Sequence, residues 1–158
     1  MAASHEDFMR RAIELARASM EAGNGGPFGA VIVRENQIIG EGANHVIARN
    51  DPTAHGEVMA IRDACARLGT FSLEGAAIYT TGQPCPMCLG AIHWARLSRI
   101  YYGFRISDAA AIGFDDSAIY AQFSLPESQR LIPAHVVSRE AALQLARDYA
   151  SLPNKISY

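Results

Sequence analysis

Lysine is almost missing from this chain. Of its 14 basic side chains only Lys155 is a lysine, and 16 acidic residues bring the net charge to −2. Proteins that hold a phosphate backbone gather Lys and Arg into a basic patch. Here the closest approaches are Arg10-Arg11 and the pair Arg96 and Arg99, which read as solvated helix faces. Nucleic acid is therefore a disfavoured partner. Long apolar runs are missing too, and none nears the roughly 20 residues that span a bilayer, so no membrane partner is expected. The first residues carry Glu6 and Asp7 where a secretory signal would carry an apolar stretch. Cysteine is scarce: Cys65, Cys85 and Cys88 are too few for a disulfide framework, which points to a reducing, cytoplasmic setting. Cys65 reads as a small buried apolar residue of a helix.

What remains is ordinary for a folded domain. The chain has 158 residues, 49% hydrophobic and 19% charged, enough for one domain over residues 1–158 with its own core. Apolar residues recur at helical spacing from Phe8 to Ser19, predicting a helix over about 5–22 that the glycines after residue 22 end. Two strands follow at 28–33 and 37–42, with Glu35-Asn36 as the hairpin turn, and then a loop over 44–54. A helix from His55 to about Leu68, capped by Thr53, leads to a strand at 76–81, a helix beginning at the Cys85 region, and a strand at 99–104. Short helices are predicted near 107–112 and 116–122, a fifth strand at 134–137, and a helix over 141–150.

The chemistry lies in two short runs. His55-Gly56-Glu57 offers an imidazole and a carboxylate, and Pro84-Cys85-Pro86-Met87-Cys88 offers two thiols, with 27 residues between Glu57 and Cys85. Catalytic zinc takes three protein ligands and keeps a position for water, whereas structural zinc takes four. His55, Cys85 and Cys88 make three, so one Zn2+ per subunit is expected, lowering the pKa of water to about 7. Glu57 stands near enough to carry protons without binding the metal. Both runs open predicted helices, whose N-termini favour thiolate over thiol. A structural zinc with His93 as fourth ligand is the alternative. His93, five residues past Cys88, should project from another face of the helix, into a pocket, interface or core.

The order H-x-E then P-C-x-x-C is the signature of zinc nucleobase deaminases, and at these residues the chain resembles the cytidine deaminase superfamily. Within it the resemblance to bacterial guanine deaminases spans nearly the whole chain. It is carried by Gly25 to Val33, Asn50 to His55, Glu57-Val58, Ala60 to Arg62, Pro84 to Ile92, Trp94 to Arg96, Asp108 to Ala110, Gly113 to Ser117 and Tyr158. The resemblance implies a three-layer α/β/α domain around a central five-stranded mixed sheet. It implies zinc-dependent hydrolysis of guanine to xanthine and ammonia, and a homodimer that exchanges its C-terminal segment. It makes His55, Cys85 and Cys88 the ligands, with Glu57 as proton carrier; the carboxylate of Asp116 can itself accept from the donors of guanine and help move protons at the amine. Asn44, Asp116 and the partner subunit's Tyr158 contact the base, Phe28 packs against it, and the Ala54 backbone lies beside the metal.

The residues allow other readings. Asp116 could cap the helix that follows, Asn44 could be a turn residue, and Phe28 could be plain core. Guanosine, ammeline, cytosine or the adenosine of a transfer RNA are alternative substrates, and a zinc or nucleic-acid binding module without catalysis is the rival class. The resembling proteins usually carry Ala where this chain has Gly56. The missing methyl, close to the pocket, would leave room for a larger ring.

Overall fold

The computed structural model describes residues 2–158. Its first helix, α1 (His5–Glu21), begins where Ser4 accepts a hydrogen bond from the Asp7 amide while Asp7 accepts one from the Ser4 amide. This reciprocal cap satisfies amides that a helix start leaves open. Strands β1 (Gly29–Arg34) and β2 (Gln37–Ala43) form the expected hairpin. Glu35 and Asn36 both take positive φ, 51° and 62°, as a twist-matched two-residue turn requires. The stretch read as loop contains a one-turn helix, α2 (Val46–Arg49), ended by Asn50 in the left-handed conformation. Then come α3 (Gly56–Leu68), β3 (Ala77–Gly82), α4 (Pro86–Trp94), β4 (Arg99–Phe104), α5 (Ile106–Ala111), α6 (Asp116–Phe123) and α7 (Arg139–Ala150).

The protein is α/β, with one mixed sheet in the order β2-β1-β3-β4. β1 runs antiparallel to both β2 and β3, and β3 runs parallel to β4. Alternation along β1 divides the core. Val31 and Val33 pack with Phe8 and Ala12 of α1, whereas Ala30 and Ile32 pack with Ala60 and Ala64 of α3 and Ile92 of α4. Helices thus cover both faces of the sheet.

The sheet has four strands, not five. Residues 134–137 form no strand: Val136 and Val137 stand about four-fifths exposed with no ladder partner among the described residues. A β-branched run favours extended backbone, but it becomes a strand only where a neighbour takes its amides and carbonyls. Contacts divide the chain into one unit ending at Tyr120 and another of Ala121–Tyr158. The second unit holds part of α6, a 3₁₀ turn at Glu127–Gln129 and α7, and none of its residues is fully buried. Among the described residues no helix is long and apolar enough to cross a membrane.

Candidate metal centre and active site

Two helix starts meet at the site. His55 is the N-cap of α3 and Cys85 the N-cap of α4, with Pro86 in the first helical turn, where its missing N–H costs nothing. Thr53, expected from the sequence to cap α3, does not do so. Its hydroxyl donates to Asp51 Oδ1 at 2.7 Å, and no side chain caps that helix. The Cys85 sulfur accepts the Cys88 amide at 3.5 Å, so one ligand is held by the helix it begins.

His55 Nδ1 lies 3.6 Å from Cys85 Sγ and 3.5 Å from Cys88 Sγ. A tetrahedral zinc with ordinary Zn–N and Zn–S bonds holds N and S about 3.6 Å apart. Both N···S separations thus match a zinc site, the three donor atoms lie within 4.8 Å of one another, and they form the only such cluster among the described residues. His93 is exposed, so it is not core, and it stands outside the cluster. Cys65 is half-buried against the core, and burial pushes its thiol up.

Protonation follows from the crowding. The Cys88 side chain beside it, together with His55, draws the Cys85 thiol down to about 4. Cys88 moves up, because a second thiolate next to the first is unfavourable. His55 is raised, chiefly by its hydrogen bond to Cys85. A dication reverses this logic, since coordinated thiols ionise outright. Glu57 is buried, and loss of solvent raises its pKa. Its Oε1 accepts from the Thr80 hydroxyl at 3.2 Å and its Oε2 from the Cys88 thiol at 3.3 Å.

A cavity of about 350 Å³ opens onto the cluster. That lies at the small end for ligand pockets and suits a single small ring system. His55, Glu57 and Cys85 line it with Phe28, Asn44, Gln83, Phe114 and Asp116, and Gly26, Val46, Ile47 and Pro52 complete the wall. Phe28 meets Phe114 edge to face at 4.9 Å between ring centres. Asn44 is both turn residue and wall. Its Oδ1 accepts the Val46 amide at 3.1 Å, which leaves its NH2 group as the donor. Asp116 opens α6, but the capping contact comes from its neighbour: Asp115 Oδ1 accepts from the Ser117 amide and hydroxyl. Burial, then the negative charge of Cys85, raises Asp116. One turn on, the Tyr120 hydroxyl donates to the Pro84 carbonyl at 2.8 Å and ties this helix to the cysteine loop.

Ala54 is fully buried just before His55. Its amide donates to the Asp51 carbonyl and its carbonyl accepts from the His45 amide, and it does not line the cavity. Tyr158 lies in the Ala121–Tyr158 unit, largely exposed. Gly56 needs a correction. A methyl there would press on backbone, within 2.9 Å of the Phe28 carbonyl oxygen and 3.1 Å of the Gly29 Cα, and Gly56 is not among the residues that line the cavity. Its absence lets α3 approach β1 and adds nothing to the pocket. Sequence reasoning missed Thr80, Gln83 and Phe114. Gln83 and Phe114 adjoin motif residues, which is a usable signal. Thr80 sits in an ordinary strand and gives none.

Fold and site define a zinc deaminase. Residues 2–104 match the cytidine and deoxycytidylate deaminase zinc-binding region, and the chain belongs to that family. A guanine deaminase of Bacillus subtilis is 48% identical over 98% of this chain and 99% of its own length. The crystal structure of guanine deaminase from that organism superimposes with a TM-score of 0.94 at 47% identity, covering 99% of both chains. A tRNA-specific adenosine deaminase of Agrobacterium fabrum is 40% identical over 70% of this chain and 72% of its own.

Proposed function

We propose that the protein hydrolyses guanine to xanthine and ammonia in purine salvage or breakdown. The observation that carries this reading is the extent of the likeness. It runs past residue 104, where the family-wide region ends, through Asp116 and over 98–99% of the chain. The likeness to the transfer-RNA enzyme covers less of the chain, and the small cavity and the lack of a basic run argue against a polynucleotide substrate.

In this reading His55, Cys85 and Cys88 hold zinc, which when bound supplies Lewis-acid activation of water. The ring lies against Phe28 and Phe114, with C2 toward the metal end. The Asn44 NH2 group donates to an acceptor on the base. Asp116 accepts from N1–H and the amine, which a carboxylate can do and an amide oxygen does less strongly. Glu57 takes a proton from water and delivers it to the ring nitrogen beside C2, then to the departing amine. Burial raises its pKa, the direction that favours a carboxyl able to hold that proton in transit. Water and guanine become xanthine and ammonia with no other reactant.

The subunit is proposed to work as a homodimer that exchanges its C-terminal segment, the partner subunit's Tyr158 reaching the base. Support comes from the Ala121–Tyr158 unit itself. Leu131, Ile132, Val136, Val137 and Leu145 are each at least 72% exposed, more apolar surface than a monomer ordinarily leaves to water. Thiolate ligands and three unpaired cysteines fit a reducing cytoplasm.

The test is ammonia release by zinc-loaded protein offered guanine, guanosine, ammeline, cytosine, adenine and transfer RNA in turn. Release from guanine alone, with xanthine formed, is expected. Release from another substrate instead would overturn the assignment while keeping the class of reaction, and zinc-loaded protein silent on all six would favour a binding module.

A further inference from the structure

The Glu57 carboxylate is only 4% exposed, so protein groups do most to orient it. We infer that Thr80 is the positioning residue for Glu57, holding its carboxylate in the plane from which it serves the reaction. This rests on the proton-carrying role proposed for Glu57.

Thr80 belongs to β3 and is fully buried. Strand alternation puts it on the same face as Ile78, which packs with α3 and α4, so a residue of hydrophobic type would be the ordinary occupant. Instead a hydroxyl stands there, 3.2 Å from Glu57 Oε1 and 3.2 Å from the Gly82 carbonyl oxygen. The other carboxylate oxygen accepts from the Cys88 thiol. That second contact exists only while Cys88 keeps its proton, because a thiol that binds metal does so as thiolate. Once Cys88 is a ligand, Thr80 remains the one side-chain donor to Glu57 among the contacts of the described residues. One hydroxyl hydrogen cannot serve both acceptors fully. It can donate to Glu57, or turn to Gly82 and accept from the carboxyl, and neither choice moves a heavy atom. The hydroxyl thus ties the Glu57 carboxylate to the end of β3. Supporting groups one step behind a metal site typically matter by 10–100-fold.

The experiment compares Thr80→Val and Thr80→Ser with wild type, all zinc-loaded to equal content. With guanine, Thr80→Val should lose about tenfold or more in kcat with KM within about twofold, and Thr80→Ser should keep most of the activity. A structural loss would show instead as lower thermal stability in both variants. In parallel, 13C-glutamate NMR reads the Glu57 carboxyl resonance, assigned by its disappearance in Glu57→Gln. Thr80→Val should shift it and Thr80→Ser should leave it near its wild-type position. Normal kcat in Thr80→Val, or an unmoved resonance, overturns the inference. If wild type is silent on guanine, the substrate reading fails, and the resonance alone then decides whether Thr80 orients Glu57.

Discussion

At the scale of single residues, protons and metal compete for the same atoms. His55 and Cys88 both have raised pKa values without metal, and zinc must displace their protons. Apparent zinc affinity should therefore rise with pH across the neutral range and fall as pH drops, measured by competition with a chromophoric chelator. An affinity that stays flat from about pH 6 to 8 would contradict the ligand assignment. Gly56 gives a second prediction. Gly56→Ala should cost about 1 kcal/mol or more of stability, from the clash with β1. The ratio of guanine to guanosine turnover should stay unchanged, and a shift in that ratio would restore Gly56 to the pocket. The metal ligands were legible in the sequence because His55, Cys85 and Cys88 follow a local spacing rule. Gly56 was misread because the direction of an absent Cβ depends on how the helix sits on the sheet. Thr80 was invisible because its partner lies 23 residues away, on another element.

Elements bring these residues together, and their ends matter more than their middles. α3 and α4 each begin at a ligand, and glycines on β2 let α3 lie close: a Cβ at Gly42 would run into the Gly56 carbonyl and the Ala60 amide. The hairpin that carries β2 is suboptimal at one point. Glu35 holds a positive φ that favours Asn, Asp or Gly. Glu35→Asn should raise stability by roughly 0.5 kcal/mol, read as a higher urea midpoint with unchanged slope, and a lower midpoint would contradict the turn assignment. Long periodic elements such as α1, and the hairpin with its turn, could be read from pattern alone. The supposed strand at 134–137 could not be judged that way, because pairing depends on a neighbour that sequence does not display. The one-turn α2 was too short to leave a periodic signal.

At the scale of the whole molecule, the unit that ends at Tyr120 carries its own sheet, core and cavity, whereas Ala121–Tyr158 shows water an apolar surface. A second copy that covers this surface should make the protein a dimer at micromolar concentration. Light scattering should give twice the chain mass, and removing residues 121–158 should abolish both dimer and turnover. A monomer with full activity would contradict the exchange. The central claim is that Glu57, beside a zinc held by His55, Cys85 and Cys88, moves the protons of guanine hydrolysis. The most direct test measures xanthine formation from guanine by wild type and Glu57→Gln at matched zinc content. The account predicts sustained turnover by wild type and a loss of at least about 10²-fold in the variant, with zinc still bound. Equal rates in the two proteins would contradict it.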